Sequence, residues 1–245
     1  MKKFDRLSAL VDRFELSVAP WPEDGANLVI RELAQGGWAL RLGESADADA
    51  TTVVFRARVD WGDGDNPLFI ALPGLITREI GSDEELGLIV QLLVAEGRAG
   101  RCGAATVLNR LGEVLIVRIV REAIERGASE PGVLGGLADP RLSRAIVSMH
   151  EAPGQNWRNE DLAEIAGLSR SRFAELFVEA VGETPLAYLR RWRLVLARKD
   201  LERGDRVQSV ARRYGYASGE AFNRAFQRFF GHPPTGLRAS ALDAA

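Results

Sequence analysis

The side chains best suited to recognition chemistry lie near the end of the chain, in the segment YGYASGEAFNRAFQRFFG (214–231). Four of them carry amide or guanidinium groups, namely Asn223, Arg224, Gln227 and Arg228. Such groups donate hydrogen bonds to base edges and to phosphates. The four phenylalanines of the segment fall on one face of an α-helix, at Phe222, Phe226, Phe229 and Phe230. We therefore predict a helix that is anchored by its aromatic face and presents donors on the opposite face.

This segment belongs to the second copy of an internal repeat, because residues 162–185 align with residues 210–234. The matched residues lie 48 or 49 positions apart: Ala163 with Ala211, Gly167 with Gly215, Phe173 with Phe222, Phe177 with Phe226, Gly182 with Gly231 and Pro185 with Pro234. In each copy a short helix, starting at Asn159 or near Val207, should end at the first of these glycines. Glycine adopts the left-handed conformation at a helix end without penalty.

Each copy predicts a second helix after its glycine, over about 170–181 and 218–230, capped by Ser169 or Ser218. Two helices joined by a tight glycine-containing turn form a helix-turn-helix, whose second helix enters the DNA major groove. The segment 184–204 predicts a joining helix between the two copies. At about 18 residues this helix is roughly 27 Å long, so it could hold the two reading helices about one DNA turn (roughly 34 Å) apart.

Residues 139–245 resemble the C-terminal domain of AraC/XylS-type transcription regulators. The resemblance is carried by LAEIAGLSRSRF (162–173), GETPLAYLRRWRLVLARKDL (182–201) and VARRYGYASGEAFNRAFQRFFGHPP (210–234). It implies an all-α domain of about seven helices with two helix-turn-helix motifs, and sequence-specific binding of double-stranded promoter or operator DNA. It also implies a homodimer, a small-molecule effector and RNA polymerase as partners, no cofactor, and a cytoplasmic location.

The resemblance implies base-reading positions in both helices: Ser171, Arg172, Ala174 and Glu175 in the first, and Gly219, Glu220, Asn223 and Arg224 in the second. Arg172 suits a bidentate contact to guanine. Glu175 could accept a hydrogen bond from cytosine, or pair with Arg172 or Arg170. The candidates for phosphate contacts are Arg170, Arg190, Arg191, Ser218, Arg212 and Arg213. Each of these arginines could instead be a solvated surface charge.

Residues 1–75 are expected to be β-rich. Apolar and polar residues alternate in 38–42 and 52–60, which is the period of a half-buried strand, and 28–33 can pair with 38–42 through a Gly36-Gly37 turn. The region resembles a cupin-like effector domain of these regulators but is short for an eight-stranded barrel, so an abbreviated barrel is expected. The turn cluster GDGDNP (62–67) closes this strand region. Candidates to line an effector pocket are Trp21, Trp38, Phe55 and Trp61, with core packing as the alternative.

Residues 76–127 predict a helical pair, over 83–96 and 103–126, with Ser82 as the first N-cap. The second helix has an apolar stripe of Leu108, Leu111, Leu115 and Ile119. This stripe is either a dimer contact or a surface that packs on both the first helix and the strands. The Gly- and Pro-containing stretch 128–138 predicts a linker. The predicted fold class is therefore α+β, with an abbreviated β-rich region and a helical pair followed by the all-α domain at 139–245.

Composition and charge are those of an ordinary globular protein of 245 residues, with 46% apolar and 27% charged residues. No apolar run is long enough to span a membrane, and the N-terminal MKKFDRLSALVDRF is not expected to be a signal peptide. Residues 1–138 carry 15 Lys and Arg against 21 Asp and Glu, a net charge of −6, whereas residues 139–245 carry 17 against 13, a net charge of +4. This asymmetry favours the second half as the part that meets a polyanion, although many domains of this charge bind no nucleic acid.

Cysteine and histidine are scarce. Cys102 is the single cysteine, which excludes an internal disulfide and fits a reducing cytoplasm. A repair alkyltransferase fused to the same DNA-binding domain would need reactive cysteines, and metal-dependent cupins use a histidine cluster. His150 and His232 both lie outside the β-rich region, and His150 is expected to be structural or solvated. We therefore expect neither an enzyme nor a metal site.

Two functions remain as interpretations of the sequence. The leading one is a transcription regulator that binds specific DNA through both helix-turn-helix motifs. The alternative is an effector-independent interaction module that acts by dimerising with a full-length relative.

Overall fold

The computed structural model describes residues 16–22, 25–43, 52–60, 75–126 and 131–235. The chain forms two compact units, the first within residues 14–127 and the second after residue 127. The predicted turn at 62–67 and Trp61 lie outside the described residues. None of the described helices combines the length and the apolar character that a bilayer crossing requires.

The first unit contains an antiparallel sheet, whose described strands are β1 (Ser17–Pro20), β2 (Leu28–Glu32), β3 (Trp38–Gly43), β4 (Val53–Asp60) and β5 (Leu75–Ile80). The order across the sheet is β1-β4-β2-β3-β5. The predicted pairing of β2 with β3 is confirmed, since Ile30 lies opposite Leu40. The alternation in β4 buries Phe55 and Val59 and exposes Arg56, as expected for a strand with one face on the core.

Strand β5 lies where the helical pair was predicted to begin. Its residues alternate, with Ile76 and Ile80 on one face and Thr77 and Glu79 on the other, and β-branched residues at such spacing favour a strand. It pairs with β3, where Ile80 lies opposite Trp38. The segment 76–127 therefore opens with a strand, and its first helix begins at Glu85, close to the predicted start at residue 83.

Two helices complete the first unit, α1 (Glu85–Ala99) and α2 (Ala104–Arg126). The prediction of Ser82 as the N-cap is wrong, because the residue at that position is Glu84. The Glu84 carboxylate accepts hydrogen bonds from the backbone N–H of Gly81 at 3.0 Å and from the Arg78 guanidinium at 2.9 Å. Residues 82–84 form a turn that delivers the chain from β5 to α1.

The apolar stripe of α2 belongs to the core of the first unit. Leu108, Leu115 and Ile119 are at most 4% exposed, so the prediction that they form a dimer contact is wrong, and Leu111 is half-buried. Helix α2 packs on both α1 and β1, the alternative that the sequence left open. A Cβ at position 112 would lie 2.5 Å from a methyl group of Val18, so only glycine allows this approach to β1.

The second unit is all-α, as expected. Its described helices are α3 (Val133–Ala138), α4 (Leu142–Glu151), α5 (Asn159–Ala166), α6 (Arg170–Val181), α7 (Pro185–Glu202), α8 (Val207–Arg213) and α9 (Gly219–Phe230). Helix α3 lies in the stretch that was predicted to be a linker, and it buries Val133, Leu134 and Leu137. One of the glycines that suggested a linker serves packing here, since a Cβ at Gly136 would lie 2.5 Å from a methyl group of Ile146.

Helix α7 forms the centre of the second unit. Its Tyr188 and Trp192 are fully buried, and His150 of α4 lies against both of them. The His150 Nε2 and Tyr188 Oη atoms are 2.5 Å apart, and the His150 and Trp192 rings are 4.1 Å apart. Burial raises the pKa of the Tyr188 phenol. Of its two expected roles, His150 therefore has the structural one.

Candidate nucleic-acid interface

The two helix-turn-helix motifs, α5–α6 and α8–α9, share one turn geometry. Gly167 has φ 69° and Gly215 has φ 74°, so both occupy the left-handed region. The N–H of the following residue donates back to the preceding helix at the same distance in both copies. Leu168 donates to the Ala163 carbonyl at 2.9 Å, and Tyr216 donates to the Ala211 carbonyl at 2.9 Å. The repeat in the sequence is therefore a repeat of hydrogen bonds.

The second helix of each motif begins with a serine cap. Ser169 Oγ accepts a hydrogen bond from the Arg172 N–H at 3.3 Å, and Ser218 Oγ accepts one from the Ala221 N–H at 3.1 Å. Both caps were predicted, and they define the first turns of α6 and α9. In these turns Arg170, Ser171, Arg172 and Glu220 are exposed.

Matching pairs of aromatic rings anchor α6 and α9 to the unit. The Phe173 and Phe177 ring centroids are 5.6 Å apart, those of Phe222 and Phe226 are 5.5 Å apart, and all four side chains are fully buried. The prediction that Phe229 belongs to the anchoring face is wrong, because its side chain is 43% exposed at the last turn of α9. The aromatic anchor therefore consists of two residues in each helix, with Phe230 half-buried behind them.

The outer face of α6 is exposed at Arg170, Ser171, Arg172 and Glu175, whereas Ala174 is half-buried. The Arg172 guanidinium lies 3.6 Å from the Glu175 carboxylate, so Glu175 has the internal partner that the sequence left open. Arg170 pairs with Glu160 of α5 at 2.9 Å. All four of these charged side chains are more than half exposed, and such pairs contribute little and can be exchanged for a ligand.

The outer face of α9 offers a different set of groups. Exposed residues on it are Glu220, Asn223, Arg224, Gln227 and Arg228, and Gly219 is half-buried at the first position. Arg224 forms no ion pair with another residue that the structure describes. The donors of α9 are therefore more available than those of α6.

The predicted phosphate-binding arginines fall into two groups. Arg190 and Arg212 are exposed, and neither forms an ion pair with a residue that the structure describes. Arg191 is held by Glu183 at 2.6 Å, with its guanidinium 5.3 Å from the Tyr188 ring centroid. Because Arg191 already interacts with Glu183 and Tyr188, the structure does not favour the predicted phosphate contact of Arg191.

Arg213 is also held within the unit. Its side-chain hydrogen bonds to Asp200 and Asp205, at 2.5 Å and 2.7 Å, raise its pKa. Asp200 additionally accepts a hydrogen bond from the Tyr214 hydroxyl at 2.7 Å. Arg213 thus ties α8 to the end of α7, which does not favour the predicted phosphate contact either.

Comparison with known proteins assigns both halves of the chain. Residues 162–240 match a family described as a helix-turn-helix domain, and residues 8–125 match a cupin family. An AraC-like transcription regulator of Streptomyces lividans is 38% identical over 134 residues, which are 54% of this chain and 44% of that protein. The transcriptional regulator AlkR of Acinetobacter baylyi is 33% identical over 205 residues, which are 82% of this chain and 67% of that protein. The chain belongs to the AraC family of transcription regulators.

As an AraC-family chain, it combines a helix-turn-helix domain with a cupin-like first half. A solved DNA-binding domain of the transcription factor AdpA, bound to its target DNA, is 32% identical and covers 42% of this chain and 92% of that one, with a TM-score of 0.39. The chain spans about half the length of several curated relatives that it matches.

The cupin-like half of this AraC-family chain has an open surface pocket of about 240 Å³ beside Trp38. It is lined by strand and α1 residues: Glu32, Trp38, Val54, Gln91, Val94, Ala95 and Arg98. Of the predicted pocket residues that the structure describes, only Trp38 lines it. Phe55 is fully buried, and Trp21 is 46% exposed with its ring edge-on to Phe55, the centroids 5.9 Å apart. Core packing is therefore the role of Phe55.

Sequence reasoning missed the structural role of a half-buried arginine, Arg193, in this AraC-family chain. Arg193 follows Arg190 and Arg191 closely and looks like another surface charge in the run RRWR. Its guanidinium instead donates to two backbone carbonyl oxygens of the α4–α5 loop. The only signal in the sequence is helical spacing, which puts Arg193 four residues after the buried Leu189.

Proposed function

We propose that this protein regulates transcription by placing α6 and α9 in successive major grooves of promoter or operator DNA. The observation that carries the proposal is the equivalence of the two motifs, which share the turn, the serine cap, the aromatic anchor and an exposed outer face. Helix α7 has 18 residues and is therefore about 27 Å long, near the roughly 34 Å that separates successive major grooves.

The proposed base-reading residues lie on the outer faces of both helices: Ser171, Arg172, Glu175, Gly219, Glu220, Asn223 and Arg224. Helix α9 is proposed to carry more of the specificity, because Arg172 and Glu175 of α6 pair with each other. Arg224 and Asn223 lie one turn into α9, where side chains reach base edges.

Arg224→Ala is expected to remove about 1–3 kcal/mol of discrimination at one or two base pairs, because it deletes donors to a base edge. The preferred sequence is first obtained by selecting duplexes from a random pool with the purified wild-type protein. Affinities for single-base variants of that sequence are then measured for both proteins. The control is Arg144→Ala, an exposed arginine of α4 outside both motifs. An unchanged base preference in Arg224→Ala would rule out α9 as the proposed reader.

The proposed phosphate contacts are Arg190, Arg212, Arg170 and Ser218. Arg190→Ala should weaken binding to all sequences alike, because phosphates carry no sequence information. It should also make the slope of log K against log salt shallower, by about 0.9 for each phosphate that the protein no longer neutralises. Titrations of the selected duplex and of an unrelated duplex at several salt concentrations measure both effects. A slope equal to that of the wild type would show that Arg190 does not touch the backbone.

We propose that the protein is a homodimer that pairs through the outer side of the α1–α2 hairpin. This side carries two exposed apolar strips, Leu88 with Leu92 on α1 and Val107 with Val114 on α2. Glu85 of α1 and Arg118 of α2 form an ion pair across the hairpin. Glu85 lies three residues before Leu88 and Arg118 lies four residues after Val114, so each is on the same helix face as the strip of its own helix. The strips therefore lie side by side and form one apolar surface.

Val114→Glu is expected to convert the dimer to a monomer, because it places a charge in the apolar contact. Thr106→Glu is the control, since Thr106 is exposed on the same helix but lies off the strip. Sedimentation velocity at micromolar concentration measures both variants against the wild type. A wild-type monomer, or a Val114→Glu dimer, would contradict this interface.

The alternative function is an interaction module that needs a full-length relative to reach DNA. Binding of the selected duplex by the purified chain, with no other protein added, favours the regulator, and binding only after a relative is added favours the module. In either case the target DNA implies action in the cytoplasm, with RNA polymerase as the expected partner.

The pocket beside Trp38 is the proposed place of control by a small molecule. Its wall combines an indole ring and aliphatic groups with Glu32, Gln91 and Arg98, which suits a ligand with both apolar and polar parts. Metabolites are screened for a rise in melting temperature of the wild type and of Ala95→Trp, whose larger side chain fills the pocket. A ligand that stabilises both proteins equally binds elsewhere and would contradict this site.

A further inference from the structure

The loop between α4 and α5 lies backbone to backbone against the turn of the second motif. A Cβ at Gly154 would overlap the carbonyl oxygen of Arg213, and a Cβ at Gly215 would lie 2.7 Å from the carbonyl oxygen of Gly154. Gly154 does not have a positive φ, so its lack of a side chain serves this close approach and not its backbone conformation. The loop leads directly into α5, the first helix of the first motif. The loop that enters the first motif therefore touches the turn of the second motif at a point remote in sequence from the joining helix.

The side chain of Arg193 in α7 stabilises this contact between the loop and the turn. Its Nε–H donates to the Pro153 carbonyl at 2.6 Å, and its Nη2 donates to the Gln155 carbonyl at 2.7 Å. The same Nη2 atom would lie 3.5 Å from a Cβ at Gly215, so the guanidinium reaches the turn of the second motif as well. Burial lowers the pKa of Arg193, which reflects the cost of desolvating its charge. Charge-assisted hydrogen bonds to the two carbonyls offset that cost.

We propose that Arg193 is a positioning residue that fixes the separation of α6 and α9, and so sets the spacing of the two DNA elements that the protein accepts. The inference rests on the proposed function. Helix α7 alone joins the motifs end to end, whereas Arg193 adds a second attachment between the entry to the first motif and the turn of the second. One base pair of spacing moves a DNA element by about 3.4 Å, a shift that a rigid pair of motifs cannot follow.

The test uses the duplex that the wild-type chain selects from a random pool, together with versions in which the two elements are one base pair closer or farther apart. The wild type should prefer its own spacing by about tenfold or more, comparable to the effect of a mismatched base pair. Arg193→Met keeps the aliphatic stem and deletes both donors. Gly154→Ala leaves Arg193 in place and separates the loop from the turn. Both variants should lose most of the spacing preference while keeping the same base preference within each element.

Arg190→Met is the matched control on the same helix, and it should weaken binding to all three spacings equally. Binding is measured well below the melting temperature of the least stable variant, so that every protein is folded. A wild type that selects no two-element sequence would overturn the proposed function together with this inference. If the wild type selects a two-element sequence, and Arg193→Met or Gly154→Ala keeps the wild-type preference for its spacing, only the role of Arg193 is overturned.

Discussion

Phe226→Ala is expected to lower the free energy of unfolding of the second unit by about 3–5 kcal/mol, because it removes a fully buried ring and leaves a cavity. The Phe226 centroid lies 5.5 Å from that of Phe222 and 4.5 Å from that of Phe230, so the cavity would open between α9 and the core. The loss is measured by denaturant unfolding of the full chain. Because α9 is no longer anchored, binding to every DNA sequence should weaken as well.

Phe229→Ala is the matched control for this prediction, since it deletes the same ring three residues later on the same helix. Phe229 is 43% exposed, so its removal should change the free energy of unfolding by less than about 1 kcal/mol. Equal losses in Phe226→Ala and Phe229→Ala would contradict the orientation of α9, and with it the exposure of Arg224.

Leu115→Glu is expected to unfold the first unit, because it forces a carboxylate into a fully buried position that an apolar side chain occupies in the wild type. A loss of more than about 3 kcal/mol is expected, as for other unpaired buried charges. Hydrogen exchange of the full chain measures the effect locally, and protection should be lost throughout α2 and remain in α7.

The neighbouring Val114→Glu separates burial from charge, because Val114 is 49% exposed on the same helix. It should retain the exchange protection of α2 while losing the dimer. If Leu115→Glu kept wild-type protection in α2, the packing of that helix on β1 and α1 would be wrong.

The second unit could be predicted from sequence because local signals fix its geometry. Gly167 and Gly215 adopt the left-handed conformation that ends a helix, and Ser169 and Ser218 supply a cap to the next one. These effects depend on a few neighbouring residues. Their recurrence at one spacing made the pair of motifs recognisable. The matches to a helix-turn-helix family and a cupin family confirm the α+β class with a cupin-like first half.

The sequence alone could not show which distant residues each side chain contacts. Leu115 and Val114 are both apolar, and only the packing of α2 on β1 and α1 decides that the first is core and the second is surface. The glycines of α3 suggested a linker because the close contact of Gly136 with Ile146 lies outside the local sequence. Arg190 and Arg193 are alike by type, and three-dimensional position alone separates an exposed cation from one held by two carbonyl groups.

The two arginines at the end of α8 show the same limit for the candidate site. Arg212 and Arg213 are adjacent and both were predicted to bind phosphate. Asp200 and Asp205 hold Arg213, and these acidic residues lie 13 and 8 positions away, beyond the reach of a helical spacing rule. Charge pattern could therefore locate the basic surface but could not tell which cations are available on it.

Binding in two successive major grooves is tested most directly by methylation protection of the selected duplex, since guanine N7 faces the major groove and adenine N3 faces the minor groove. We expect the wild-type protein to protect two clusters of guanine N7 atoms whose centres lie about 10–10.5 base pairs apart, on one face of the duplex. Arg224→Ala should weaken protection in one cluster and leave the other in place. A single protected cluster, or protection confined to adenine N3, would contradict the reading of DNA by both α6 and α9.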